Sequence, residues 1–339
     1  MIMKASSKRV KRFWLFWEYF GIVIIFMLVA AVFAAIEPRV IAISQLISVL
    51  NRSSWVAVAA IGMTFAICSG GFDLSVGSIM SLSGCLVAKL MMDNGLSTGL
   101  AVAITLGIAG CCGVVNGLLI TKLKIQPFVA TLATMLIFDG VTQTYTGNIG
   151  TRIGNEQYEQ GLSFIGRGLP VSVTVAGQST EISLLKVVLV IVFLALAVVV
   201  YRNTRFGTMV RATGSNEYAA RTSGISVDNI LIIVYILTAV TAAIAAVMYT
   251  ATVQSASPNA GSGFELDAIT AVVLGGTALS GGKGNLIGTF IGAFLVAFSK
   301  MCLNFIGAPE AMHVIVPGAI LLFALSINGV KLITQREVD

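Results

Sequence analysis

The segment Ser69-Gly70-Gly71-Phe72-Asp73-Leu74-Ser75-Val76-Gly77-Ser78 sets one carboxylate among three glycines and three serines, inside an otherwise apolar stretch. Its chemistry is hydrogen bonding. Asp73 can accept from the exposed backbone N–H groups of a following helix, and Ser75 and Ser78 add local bonds. The segment reads as one helix ending and another starting at a tight turn. Asp73 is then either a structural cap or a ligand or gate contact.

A second polar block is Arg211-Ala-Thr-Gly-Ser-Asn-Glu-Tyr-Ala-Ala-Arg-Thr-Ser-Gly224. Ser215 or Asn216 can cap a helix start, and Glu217 suits its first turn. Ala219 and Ala220 favour helix, Arg221 suits the last turn, and Gly224 can end it. The spacing predicts a helix of about eight residues, too short to persist alone in water. It needs a partner to pack on, either its own membrane domain or a separate soluble protein.

A third block runs from Glu265 to Gly284. Glu265 and Asp267 open an apolar segment, and the pairs Gly275-Gly276 and Gly281-Gly282 bracket its broken far end. Acids at a membrane edge must be capped, paired or wet. Capping and lining an outer vestibule are the two readings. Asp139 sits alone inside an apolar run, where a carboxylate needs a partner or a wet cavity. Asn116, Gln126, Thr131, Thr134 and Thr142 offer neutral hydrogen-bonding groups, and Phe65, Phe128 and Phe138 offer aromatic faces. A sugar path would use both kinds of group, although Thr in membrane helices often bonds to its own backbone.

Several chemistries are excluded. There is no GxxxxGK[ST] loop, no HExxH and no Ser-His-Asp arrangement. His313 is the only histidine, which removes a relay of several histidines. The five cysteines contain no CxxC pair and read as small buried hydrophobes. No metal site and no cofactor is expected.

The elements that hold these blocks must live in lipid. Of 339 residues, 57% are hydrophobic and 11% charged, against roughly 25% charged in a soluble domain. The mean hydropathy is +0.94. The fold class is all-α, a polytopic membrane protein with about ten transmembrane helices. The expected spans are 20–36, 46–68, 76–92, 100–120, 128–146, 184–201, 230–253, 266–279, 286–305 and 314–328. The apolar run after Lys4, Lys8, Arg9, Lys11 and Arg12 is long enough to span and lacks a cleavage site, so it is read as a retained first span. Gly107/Gly110, Gly113/Gly117 and Gly288/Gly292 line single helix faces and predict close helix packing.

The net charge of +6 follows topology and does not point to nucleic acid. Fourteen of the 21 basic residues fall on one side of a ten-span arrangement, which predicts both termini in the cytoplasm. The domains follow as a cytoplasmic segment 1–19, a membrane domain 20–330 with a cytoplasmic loop 202–229, and a tail 331–339. The loop 147–183 belongs outside, with a short strand over 171–175.

Four stretches, GGFDLSVGS, IQPFVATLATM (125–135), TRFGTMVRATGSNEYAARTSGISV and ELDAITAVVLGGTALSGGKGNLIGT, resemble the permease subunits of ribose/galactose-type bacterial ABC sugar importers. The resemblance runs in order from about residue 45 to 330. Phe72 departs from the isoleucine common among relatives, conservatively. The resemblance implies a non-enzymatic subunit of the inner membrane. Its implied partners are ABC ATPase subunits, a second permease subunit, identical or paralogous, and a periplasmic sugar-binding protein. It further implies that Gly214, Asn216, Glu217, Ala219, Ala220 and Gly224 form a coupling helix that docks on the ATPase. Phe65, Asp73, Asn116, Phe128, Thr131, Asp139, Glu265 and Asp267 are the pathway or gate candidates. The cargo that the resemblance implies is a monosaccharide, or, as in some relatives, a nucleoside or other small solute. A proton-coupled transporter would need more intramembrane acids than Asp139.

Overall fold

A computed structural model describes residues 21–168, 170–175 and 178–336. The expected segment 1–19 and the last three residues of the tail lie outside them. The described residues are mostly helical. Helix α1 covers Gly21–Ile36, α2 Ile43–Cys68, α3 Val76–Met92, α4 Thr98–Thr121 and α5 Pro127–Thr146. After an irregular stretch come α6 Leu184–Asn203, α7 Arg205–Ser215, α8 Glu217–Thr222 and α9 Val227–Val253. The chain ends with α10 Phe264–Leu274, α11 Leu286–Phe305 and α12 Met312–Arg336.

Every expected span corresponds to a helix, but not all are alike. Five helices, α2, α4, α6, α9 and α11, are long and apolar enough to cross a membrane. Three shorter apolar helices cover Gly21–Ile36, Val76–Met92 and Met312–Ile327. The expected span 266–279 is the clearest departure. Helix α10 has 11 residues, about 16 Å at 1.5 Å per residue, roughly half a hydrocarbon core. Gly275 ends it, and a left-handed Gly276 turns the chain away. The paired glycines that break its far end were the sequence signal for this.

Helices α2 and α9 form the centre, with α4, α3, α10 and α11 around them. Small residues set the spacing. A Cβ on Gly113 would lie 2.5 Å from the Tyr235 carbonyl oxygen, and one on Gly117 2.7 Å from the Ile232 Cα. On the other side, a Cβ added to Gly288 or Gly292 of α11 would come within 2.0 Å of the Gly275 carbonyl oxygen or 2.1 Å of the Ala271 carbonyl oxygen. These two glycine patterns are helix seams. The third is not, because Gly107 has open space around it.

The segment between α5 and α6 carries the strand expected over 171–175. Strand β1, Thr151–Arg152, pairs antiparallel with β4, Ser255–Ala256. Strand β2, Pro170–Val175, pairs antiparallel with β3, Gln178–Ser183, in the register Pro170 to Ser183.

Candidate functional site

The turn after α2 is built by glycine. Gly70 takes φ +90°. Its N–H bonds to Ile67 O and that of Gly71 to Ala66 O, both at 3.0 Å. These are the paired bonds of a Schellman ending. The chain then places Asp73 in the interior, fully buried. Asp73 Oδ1 accepts from the Ser75 backbone N–H at 3.0 Å and from the Ser75 hydroxyl at 2.6 Å. Ser75 is itself the first residue before α3, so the carboxylate fixes the helix entry one step ahead of a direct cap.

A polar relay extends from that point. Asn116 of α4 donates to Ser75 Oγ at 2.8 Å and accepts from Thr134 of α5 at 2.7 Å. Thr131 donates to Pro127 O at 2.9 Å and reaches Phe72 O at 3.4 Å. Tyr235 of α9 donates to the same Phe72 carbonyl at 3.4 Å. Four elements thus share one buried hydrogen-bonded set without a nucleophile and base. Asp73 Oδ2 alone makes no hydrogen bond.

The polar loop after α6 forms two helices where one was expected. Thr204 caps α7, accepting from Gly207 N at 3.2 Å. Asn216 both ends α7 and caps α8, its Oδ1 accepting from Ala219 N at 2.9 Å. Gly224 at φ +82° closes α8, with Ile225 N bonded to Ala220 O at 3.1 Å. Only Ala220 of α8 is buried, against Ile120, Ala130, Val227, Leu231 and Tyr235. Glu217, Ala219 and Gly224 are exposed.

Gly214 stands apart from this set. It lies in α7, where an added Cβ would come within 1.8 Å of the Cys68 carbonyl oxygen and 2.8 Å of Gly282 N. The Gly282 N–H bonds that same carbonyl at 2.9 Å. Gly214 therefore faces the membrane domain, and a large side chain there disturbs the fold before it disturbs any docking.

Charges fasten α8 to its neighbours. Arg221 Nη2 meets Glu217 at 2.8 Å and Asp228 at 2.7 Å. Lys122 and Lys124, after α4, approach Asp228 at 3.3 and 3.6 Å. Asp228 first and Glu217 second hold the Arg221 guanidinium above its ordinary pKa. These residues were not foreseen as a unit, because their spacing along the chain gives no sign of their meeting. Tyr218, also unforeseen, is 79% exposed at the surface of α8. An exposed aromatic on a polar helix was the available signal.

The structure brings Asp73, Asn116 and Thr131 together and leaves the other candidates apart. Phe65 is buried between Tyr201 and Phe206, with ring centroids at 5.8 and 6.1 Å. Phe128 is half exposed on the outer face of α5. Asp139 is half-buried. Glu265 lies against Gly77, where an added Cβ would meet its Oε2. Asp267 is buried and ion-paired to Lys300 of α11, a counter-charge supplied from within an apolar helix.

A family model described as branched-chain amino acid transport system / permease component matches residues 45–325. The ribose import permease protein RbsC of Escherichia coli K12 is 37% identical over 305 residues, 90% of this chain and 92% of that protein. RbsC of Bacillus subtilis 168 is 37% identical over 308 residues, 91% of each. The D-allose transport system permease protein AlsC of Escherichia coli K12 is 31% identical over 333 residues, 96% of each. No solved structure matches the chain. A buried polar turn, glycine-seamed apolar helices and this match over most of the length lead to one conclusion: the chain belongs to the membrane permease family of ABC importers that the branched-chain amino acid transport system / permease component model describes.

Proposed function

We propose that this chain is the permease subunit of a binding-protein-dependent ABC importer that carries a monosaccharide of the ribose, galactose or allose type across the inner membrane. The single observation that carries the reading is α8. It is capped at both ends, stapled by the Arg221–Asp228 ion pair to α9, whose Asp228 also meets Lys122 ahead of α5, and keeps most of its side chains in solvent. A short helix built so firmly yet left uncovered suits a partner that pushes on it. The partner is the ATPase subunit. The cargo class is argued from the ribose and allose named in its relatives.

In this mechanism ATP binding closes two ATPase subunits, and each closure moves one α8. The ion pairs around Asp228 pass the displacement to α9 and to the start of α5, which also hold the Phe72–Asp73 turn through Tyr235 and Thr131. The permease contributes no covalent chemistry. It supplies two shapes that the motor and the sugar stabilise differently. The rest of the assembly is a second permease subunit and a periplasmic sugar-binding protein, with about ten spans and both termini in the cytoplasm. The domain bounds 1–19, 20–330 and 331–339 belong to the same proposal.

Uptake of labelled ribose, galactose and allose in a deletion strain tests the cargo. Restored, ATP-dependent uptake of at least one of them is expected. Accumulation by the purified chain alone, without nucleotide or ATPase, would overturn the reading.

A further inference from the structure

A cleft of about 540 Å³ opens between α2, α9, α10 and α11. Its volume falls in the usual range for small-molecule sites, roughly 300–1,000 Å³. Trp55 of α2 stands edge-on to Tyr249 of α9 at 5.6 Å and 79°. Both are half-buried and both line the cleft. The Asp267–Lys300 pair also lines the cleft. Lys300 spends one of three donors on Asp267 and keeps a side chain 35% exposed. Asn304, which also lines the cleft, donates from Nδ2 to Lys300 O at 3.1 Å, and its Oδ1 is an acceptor.

We propose that this cleft is a binding site, contained within one subunit, for a neutral polyhydroxylated ligand of monosaccharide size. The charges select the class. Arg52 and Lys300 are balanced by Asp267 and Glu310, so an ion of either sign meets its own charge. Hydroxyls find donors and acceptors in the cleft lining, and a sugar's C–H face finds the aromatic rings of Trp55 and Tyr249 there. The contrast with a second cavity is sharp. That one, about 280 Å³ and lined by Leu106, Phe193 and Met248 among others, is almost wholly apolar and suits no hydroxylated guest.

The inference rests on the proposed saccharide cargo, and its test separates the two. The chain has three tryptophans, Trp14, Trp17 and Trp55. In a Trp14→Phe/Trp17→Phe protein in nanodiscs, Trp55 is the sole indole. Titration with ribose, galactose and allose is expected to give a saturable emission change with at least one. Asn304→Leu, at an exposed position, should weaken that response about tenfold or more without altering elution on size exclusion. Gluconate, the anionic control, should give none. Cellular uptake with no saturable Trp55 response overturns the cleft and leaves the importer standing. A response that Asn304→Leu does not move, or that gluconate matches, also overturns the site as assigned. Absence of both uptake and response removes the saccharide reading itself.

Discussion

Helices α7 and α8 are neighbours in sequence and are held by opposite means. Helix α7 is held by absence of side chain. Gly214 meets the Cys68 carbonyl and the Gly281-Gly282 loop, with Arg211 stacked on Tyr201 at 4.9 Å. Helix α8 is held by charge, through Arg221, Asp228, Lys122 and Lys124, and by one buried alanine. The first contact is rigid because backbone meets backbone. The second tolerates change, since exposed ion pairs contribute about 0–1 kcal/mol each. One short loop thus contains a joint that cannot be altered without altering the fold and a surface that can be altered freely, and substitutions should sort accordingly.

The largest effect is expected at the rigid joint. Gly214→Trp drives a side chain into the Cys68 carbonyl and the Gly282 amide, neither of which can step aside. Destabilisation should be at least about 3 kcal/mol, the upper part of the overpacking range. Yield of monodisperse protein from membranes is the measurement. Normal yield with wild-type thermal stability would show that α7 moves independently and would dissolve the distinction between the two helices.

How much of this was legible in the sequence depended on whether the determinants were local. Asn216, Glu217 and Gly224 announced α8 because caps and terminators act within a few residues. The Gly113/Gly117 and Gly288/Gly292 seams were legible because helical periodicity puts both glycines on one face. What failed was the assignment of partners. Gly214 read as part of a docking surface, yet its contacts come from residues 68 and 282. Asp267 was legible as an acid in need of a cap, partner or water, but nothing local pointed to Lys300, 33 residues on, as its partner. Asp228 anchors a cluster that spans more than 100 residues of chain. The length of α10 was overestimated because apolar character continued past the glycines that end the helix.

Intermediate effects belong to the charged surface. Asn216→Ala removes the side-chain cap of α8 while keeping the backbone bond that ends α7, and should cost about 1 kcal/mol, read as a modest fall in Tm with the protein still folded. Glu217→Arg places a second cation beside Arg221, worth about 0.5 kcal/mol of local repulsion. It should leave Tm nearly unchanged while reducing co-purification of the ATPase subunit. Undiminished co-purification would separate α8 from the motor. If Glu217→Arg instead unfolded the protein, α8 would be as integral as α7.

The smallest effect on stability should come with one of the largest effects on partnership, at Tyr218. Its ring is almost wholly exposed, makes no ring contact among the described residues, and sits between two residues that are also exposed. Tyr218→Ala removes little that the folded chain uses, so stability should change by less than about 0.5 kcal/mol. An exposed tyrosine on a rigid helix does suit an interface anchor, where truncation costs on the order of 2 kcal/mol or more of binding. The expected result is wild-type elution and Tm, with ATPase co-purification down by roughly thirtyfold, the equivalent of that energy. Tyr218→Phe should retain most of the binding if the ring is the anchor. Loss of binding in both variants would assign the role to the hydroxyl. Full binding in Tyr218→Ala would remove the ring from the docking surface and leave Glu217 to carry it.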